Sequence, residues 1–273
     1  MKKTKIIIPA LGMLLLSTAA SITGTVAWFS MNTTVTATGM QVQAKAQAGL
    51  VISNASNGTY DASATTVKTT CAQLLPGSTA DFATWLTSVS TNPGSANTQQ
   101  AYTAGVAWTA NNVDAHYVLH DFYIRSSSAT ALTVASLNVN SVTATRIPQQ
   151  GESEQEPVAL SNLSKALRVG VNFENSSNHY IYAPISGAIT SYTVQNAAGA
   201  YDANARTSVT ALSGSTVSSD TSKTQIPGNT ANGLHAYVYI WFEGEDANCI
   251  SNNIIANLDE IAVDVVFGFT AAA

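Results

Sequence analysis

The chain has 273 residues, 45% of them hydrophobic, which is enough to bury a substantial core and excludes a disordered tail. Only 10% are charged, against about 25% in an average soluble domain, and Ala, Ser, Thr, Asn and Gly take their place. The formal charge is −5 and no basic cluster follows the first few residues, which argues against nucleic acid as a partner because phosphate contacts need Lys and Arg. This composition is typical of secreted, β-rich proteins.

Residues 1–27 have the layout of a secretory signal peptide. The positive opening contains Lys2, Lys3 and Lys5. A mostly apolar run follows over residues 6–20, and Thr25 and Ala27 precede a plausible cleavage site. The apolar run is shorter than the roughly 20 residues that a membrane-spanning helix needs. We therefore expect a secreted chain that meets a membrane only through this peptide, before cleavage.

The mature chain begins with residues 28–38, which we interpret as an extended, strand-forming end. Apolar and polar residues alternate from residue 33 to residue 52, and Gly39 is the predicted bend between two segments. A period of two over this length predicts β-strands. On propensity alone, residues 40–48 are also compatible with a helix.

Seven further stretches have the apolar pattern of strands: 116–124, 132–142, 167–173, 180–182, 190–195, 235–242 and 261–269. The first two are separated by a short turn and are predicted to form an antiparallel pair. The run at 235–242 is predicted to be a central strand that is buried on both faces. Short helices are predicted at 161–166 and 251–257, and a short helix or packed loop at 82–89.

Long, turn-rich stretches fill the rest of the chain. Residues 53–100 are predicted to be a long connection and residues 196–233 a surface excursion. No internal repeat or change of composition divides residues 39–273, which are therefore predicted to form one domain. The predicted fold is all-β: an antiparallel β-sandwich with a jelly-roll-like path, long loops and one or two short helices.

The chain contains two cysteines, Cys71 and Cys249. After export they can form a disulfide. The closed loop would span nearly the whole domain, which stabilises it by roughly 4–5 kcal/mol in the chain-entropy model. Two buried thiols are the alternative.

A zinc site has weak support. His116 and His120 are four residues apart beside Asp121, so on a helix the two rings would share a face. The surrounding residues predict a strand instead, and the Glu of the His-Glu-x-x-His motif is missing. Surface or half-buried histidines are the better interpretation.

The densest group of acids, Glu243, Glu245 and Asp246, lies in a predicted turn. Carboxylates on a loop can bind calcium, but the spacing of an EF-hand is missing, so an acidic turn is preferred over a metal site. The chain has no G-x-S-x-G, P-loop or G-x-G-x-x-G motif. We therefore expect neither an enzyme nor a cofactor.

Two stretches resemble a known family. One consists of Gly24-Thr-Val-Ala-Trp-Phe-Ser-Met-Asn32 and Val35-Thr-Ala-Thr-Gly-Met-Gln-Val42. The other consists of Tyr239-Ile-Trp-Phe-Glu-Gly-Glu-Asp-Ala-Asn-Cys249 and Ile261-Ala-Val-Asp-Val-Val-Phe267. Together they are similar to the TasA/camelysin-like exported proteins that a SipW-type signal peptidase processes, a group that includes subunits of biofilm-matrix fibres. The two ends of the chain in which they lie make up about a quarter of its length.

The resemblance implies a fibre subunit that polymerises by donor-strand exchange outside the cell. The sandwich would be one strand short, and residues 28–38 of one subunit would complete a sheet of the next through main-chain hydrogen bonds. The side chains implied to fill pockets are Trp28, Phe29, Met31 and Val35. The partners would be copies of the same chain, with other matrix components. Residues 28–38 could instead form the first edge strand of their own subunit.

Two other functions are considered. A monomeric secreted adhesin or carbohydrate-binding module would use aromatic residues on loops, for which Trp85, Trp108 and Tyr201 are candidates. A camelysin-like metalloprotease would need a zinc site, and the histidine pattern gives little support for one.

Overall fold

The computed structural model describes residues 40–68, 77–85, 117–146, 163–195, 206–244, 246, 248–249 and 261–273. The strands in chain order are β1 (Met40–Ala46), β2 (Leu50–Ser53), β3 (Ser63–Lys68), β4 (Val118–Ser126), β5 (Leu132–Arg146), β6 (Leu167–Phe173), β7 (Tyr180–Ala183), β8 (Ser191–Gln195), β9 (Arg206–Thr210), β10 (Leu212–Ser213), β11 (Ser218–Asp220), β12 (Gln225–Ile226), β13 (Leu234–Phe242) and β14 (Ile261–Ala271). A single 3₁₀ turn, Leu163–Ala166, is the one helical element in these ranges, and none of their residues form a helix that could span a membrane.

Two mixed sheets pack face to face in a sandwich-like arrangement. The first sheet has the order β11-β5-β14-β1-β3, and β12 also pairs with β5. The second sheet has the order β10-β7-β6-β13-β4-β2. The all-β sandwich predicted from the sequence is therefore confirmed, although the sheets are mixed rather than purely antiparallel.

The strands form where the sequence alternates. In β4 every second residue from Val118 to Ser126 is buried, and β14 alternates in the same way from Ile261 to Phe267. Because successive side chains of a strand point to opposite faces, each strand presents one apolar face to the other sheet. These faces meet in one core between the sheets, to which β1, β5, β6 and β13 also contribute.

A second, smaller cluster lies on the outer face of the second sheet. The β8–β9 hairpin and residues 77–85 cover this face. The buried members of the cluster are Phe82, Trp85, Ile181, Ala183, Tyr192, Val194, Val209, Ala211 and Trp241. The structure is therefore locally three layers deep, which explains how a residue on the outer face of β13, Trp241, can be completely buried.

The strand predicted from alternation is confirmed at residues 40–46, and the helix alternative is wrong. Three other predictions from the sequence are wrong. β4 and β5 do not pair, because the chain crosses from the second sheet to the first between them. β1 pairs in parallel with β14, and its other neighbour β3 lies in a stretch predicted to be a connection. The predicted surface excursion at 196–233 contains four short strands, β9 to β12.

The predicted central strand at 235–242 is β13, which lies between β6 and β4. Its inner residues are buried, whereas His235, Tyr237 and Tyr239 on the outer face are half-buried. Burial on both faces is therefore found only near its C-terminal end. At 82–85 the structure has a packed loop in place of the alternative helix, and Trp85 Nε1 donates to the Phe82 carbonyl at 3.0 Å.

Gly170 on β6 allows Phe82 to lie against the second sheet. A Cβ at this position would come within 2.5 Å of the Phe82 ring and 3.1 Å of Trp241. The ring is held by stacking on Tyr239, with centroids 4.8 Å apart. We expect Gly170→Ala to lower the free energy of unfolding in urea by about 1–3 kcal/mol, because overpacking displaces the ring.

The matched control for this prediction is the same substitution in a Phe82→Ala background. Removing the ring makes room for the new methyl group, so Gly170→Ala should then change the free energy of unfolding by less than about 0.5 kcal/mol. An equal loss in both backgrounds would show that the ring is not what excludes a side chain at this position.

Candidate functional site

The residues predicted to fill a neighbour's pockets, Trp28, Phe29, Met31 and Val35, lie outside the described residues. Their roles therefore stay predictions. The structure does show the position of β1, the strand that follows this segment in the chain. β1 begins at Met40, inside the first sheet, with β14 on one side and β3 on the other.

The acidic turn after β13 is part of a buried ion pair. Arg168 Nη2 donates to Asp246 Oδ2 at 2.7 Å, and both side chains are 0% exposed. The guanidinium also donates to three backbone carbonyls, those of Lys165, Leu167 and Ile189. The pattern of β6 predicted that Arg168 faces away from the core, but it gave no sign that other elements cover this face.

The carboxylate oxygens of Asp246 have several donors. Besides Arg168, Oδ2 accepts the Ile189 amide at 3.3 Å, and Oδ1 accepts the amide and the side-chain nitrogen of Asn248 at 2.8 and 2.9 Å. Asp246 therefore ties the turn to β6 and to the loop before β8. Glu243 is also buried and accepts a hydrogen bond from Trp241 Nε1 at 3.1 Å.

These contacts bear on the weak calcium candidates. The carboxylates of Glu243 and Asp246 accept hydrogen bonds from Trp241 and Arg168, respectively. Glu245 lies outside the described residues. In the part of the chain that the structure describes, no three His, Cys, Asp or Glu side chains come together in a way that could hold a metal ion. The arrangement of Glu243 and Asp246 fits a structural role in fixing the turn.

Cys249 ends the same turn. Its amide donates to the Asp246 carbonyl at 2.8 Å, and its side chain is completely buried. Burial, followed by the charges of Glu243 and Asp246, raises the pKa of the Cys249 thiol well above its usual value. Cys71 lies outside the described residues, so the disulfide stays a prediction.

The histidines that the structure describes do not come together as a zinc site would require. His120 is buried between the sheets, where its Nδ1 contacts Thr66 Oγ1. His235 lies on the outer face of the second sheet, 2.9 Å from an oxygen of Asp121. His120 and Asp121 thus point to opposite faces of β4, as the strand prediction required, and His116 lies outside the described residues.

Asp220 at the end of β11 joins two loops. Its side chain is buried and accepts hydrogen bonds from the side chains of Ser176 and Asn178 and from the amide and hydroxyl of Ser222. Burial alone would raise the pKa of Asp220. These hydrogen bonds outweigh burial and hold the pKa below its ordinary value of 3.8.

We expect Asp220→Asn to lower the free energy of unfolding at pH 7 by about 1.5–3 kcal/mol, because hydrogen bonds to a charged acceptor are lost. A depressed pKa contributes stability that is present above 3.8 and is lost as the pH falls through the folded-state pKa. The difference between the two proteins should therefore shrink below about pH 4 in urea unfolding.

Asp264→Asn is the matched control for this prediction. It removes an ion pair with Lys45 whose side chains are 44% and 35% exposed, and such pairs contribute about 1 kcal/mol or less. A loss at Asp220 that stays constant from pH 7 to pH 3 would contradict the role given to its charge.

An open groove runs between the edges of the two sheets, with a volume of about 440 Å³. We call it the edge groove. It is bordered by Tyr180 and Ile181 of β7, by 207–210 of β9, and by Val217 with the first residues of β11. Leu212, Ala80 and His179 complete its lining. Val217 is 55% exposed. A hydrogen bond between the hydroxyls of Tyr182 and Ser218 joins the two sheets beside the groove.

The groove lies where β7 has only a short pairing with β10, and β9, which pairs with β8, lines it without pairing with β7. β6 pairs with β7 from Tyr180 to Tyr182, whereas β10 reaches β7 only at Tyr182 and Ala183. On the side away from β6, no described strand pairs with Tyr180 or Ile181. Neither β7 nor β9 was assigned to a binding site from the sequence, because their weak patterns do not indicate how their edges pair.

Of the aromatic residues considered for a carbohydrate site, the structure places only Trp85. It is 3% exposed and packs against Tyr117 and Trp241, so its ring is not presented on the surface. Trp108 and Tyr201 lie outside the described residues. Comparison of the chain with protein-family models, curated proteins and solved structures finds no match.

Proposed function

We propose that the chain is an exported structural subunit, with no catalytic role, that polymerises head to tail into an extracellular fibre. Residues 28–38 of one subunit insert as a strand into the next. The resemblance of the two ends of the chain to TasA/camelysin-like proteins supports this proposal. So do the signal-like first 27 residues and the low content of charged residues.

The observation that carries the proposal is the position of β1. β1, which begins at Met40, is already flanked by β14 and β3 in the first sheet. The strand-patterned segment 28–38 is therefore joined directly to the first strand of an assembled sandwich. An extended segment of this kind can add to the edge of another sheet, where main-chain hydrogen bonds supply the affinity.

The geometry of such a contact explains why it would propagate. The surface that donates the strand differs from the surface that accepts it. Each subunit therefore donates its strand to one neighbour and accepts a strand from another. A heterologous contact that does not close into a ring produces an open filament. Export with the signal peptide attached would delay assembly until the segment is released outside the cell.

The test compares two mature proteins, one starting at Trp28 and one starting at Gly39. We expect the first to form filaments in negative-stain microscopy and to scatter light increasingly with concentration. The second should remain a folded monomer with an unchanged circular dichroism spectrum. Filaments formed equally well by the protein that starts at Gly39 would overturn the proposal, and so would a protein starting at Trp28 that stays monomeric.

A further inference from the structure

Two edges of the described sheets, those of β2 and β3, carry local caps. Two hydrogen bonds between Ile52 and Asp61, at 2.7 and 3.0 Å, cover the edge of β2. At the edge of β3, the side chain of Asn54 donates to the Thr65 carbonyl at 3.0 Å, and the strand ends in Lys68. Local caps and edge lysines are common ways of preventing another strand from adding to a sheet.

The edge groove lacks comparable protection. On the side of β7 away from β6, Tyr180 and Ile181 have no paired strand among the described residues, and Val217 is half-exposed beside them. Val217 is one of two large hydrophobic side chains that the described structure exposes, and the other is Val67 on β3. The edge groove is therefore the best candidate for accepting an added strand.

We propose that the edge groove is the acceptor for residues 28–38 of a second copy of this chain. This inference rests on the proposed function and adds the residues that receive the strand. The groove presents the unpaired edge of β7 and the exposed side chain of Val217, with the buried Ile181 and Val209 beneath, and the described residues of its lining include no Asp, Glu, Lys or Arg. Residues 28–38 also carry no charged side chain, so insertion would bury no unpaired side-chain charge.

The lengths are compatible. Residues 207–210 make one wall of the groove about 13 Å long, since a strand rises about 3.3 Å per residue. The segment of eleven residues, 28–38, can extend over about 36 Å. Four or five residues would therefore lie in the groove, and the others would bridge the two copies.

The position of the groove favours a second copy over the segment's own subunit. The groove lies level with the C-terminal end of β1. Across the first sheet, the paired residues run from Ser218 through Val139 and Phe267 to Ala46. The segment leaves from Met40, at the other end of β1 and three strands away in the first sheet. In its own subunit it would have to turn back over roughly 25 Å, as strand spacing and rise imply.

The experiment uses the mature protein starting at Trp28 with either Val217→Arg or Val67→Arg. The two valines are 55% and 51% exposed and lie on opposite edges of the first sheet, so the variants are matched. Val217→Arg should raise the critical concentration for polymerisation at least tenfold, whereas Val67→Arg should leave it unchanged. Thermal unfolding of both variants without residues 28–38 verifies that they fold, and Ser219→Arg replaces Val217→Arg if that variant does not.

A crosslinking experiment identifies the occupant. Protein carrying Val35→Cys is mixed with protein carrying Ser219→Cys, and oxidised peptides are mapped by mass spectrometry. A crosslink between positions 35 and 219 of different chains supports the inference. A third protein carries both substitutions in one chain, and a 35–219 crosslink that forms in this protein as a dilute monomer but not in the mixture would overturn the inference.

The two proposals fail in different ways. If the protein starting at Trp28 polymerises and needs residues 28–38, but Val217→Arg polymerises normally or Val67→Arg is the variant that blocks it, the acceptor is wrong and the fibre function stands. If the unsubstituted protein stays monomeric at every concentration, the proposed function fails and the acceptor fails with it.

Discussion

Arg168→Met should lower the free energy of unfolding by about 3–5 kcal/mol, the usual cost of removing one partner from a buried ion pair. The reason is that Asp246 would remain buried with its charge uncompensated, since both side chains are 0% exposed. Three backbone carbonyls would also lose their donor. Urea unfolding at pH 7, followed by circular dichroism, measures the difference.

Two controls separate charge from packing in this prediction. Lys45→Met breaks an exposed ion pair and should cost about 1 kcal/mol or less. Adding Asp246→Asn to Arg168→Met removes the uncompensated charge while keeping an acceptor for the Asn248 amide. The double variant should therefore be more stable than Arg168→Met alone. A loss below about 1 kcal/mol for Arg168→Met would show that the pair contributes little.

A variant in which Thr replaces each of four residues, Trp28, Phe29, Met31 and Val35, should not polymerise. The comparison is made at concentrations where the unsubstituted protein is fully assembled. Full burial of each such side chain contributes about 1.5–3 kcal/mol. Even if half of that is realised, about 4 kcal/mol of subunit affinity disappears, which corresponds to a roughly thousandfold rise in critical concentration. Thr keeps the β-propensity, so any loss reflects the missing side chains.

The matched control replaces four threonines of the same segment with serine, at positions 33, 34, 36 and 38. The number of substitutions is the same and the apolar side chains remain, so the critical concentration should change by less than about tenfold. Sedimentation of assembled protein over a concentration series gives both values. Equal effects of the two sets would contradict the role given to the apolar side chains.

Strong alternation was sufficient to predict several strands. β6 coincides with the predicted 167–173, and β13 and β14 begin within one residue of their predictions. Each of these strands has a continuous apolar face that packs in the core, so the local pattern and the tertiary environment agree. The all-β sandwich follows from such strands.

The missed strands share a physical reason. β3 has the sequence Ser-Ala-Thr-Thr-Val-Lys and lies at a sheet edge, and β10, β11 and β12 have two or three residues each. Such strands are held by pairing with a neighbour rather than by a face of their own, so the sequence carries little signal for them. β5 pairs with the distant β14 instead of with β4. This pairing is also set by the tertiary structure and not by the local sequence pattern.

The candidate site was only partly predictable. The acids of the turn after β13 stood out in the sequence, whereas their partner Arg168 looked like an ordinary solvent-facing residue of a strand. Its burial involves residues distant in the chain, since its guanidinium contacts the Ile189 carbonyl and Asp246 and lies 5.5 Å from the Tyr192 ring of β8. The edge groove likewise depends on the short pairing of β10 with β7, which no local sequence pattern indicates.

Hydrogen–deuterium exchange of the backbone amides of residues 28–38 tests the central claim most directly. In assembled filaments the four or five consecutive amides that occupy the groove should be protected, because in the proposed contact they pair with a strand edge of a neighbouring subunit. In dilute monomer they should exchange as fast as an unstructured peptide. Equal protection in dilute monomer would place the segment in its own subunit and contradict strand donation. Fast exchange of these amides within the filament would also contradict strand donation.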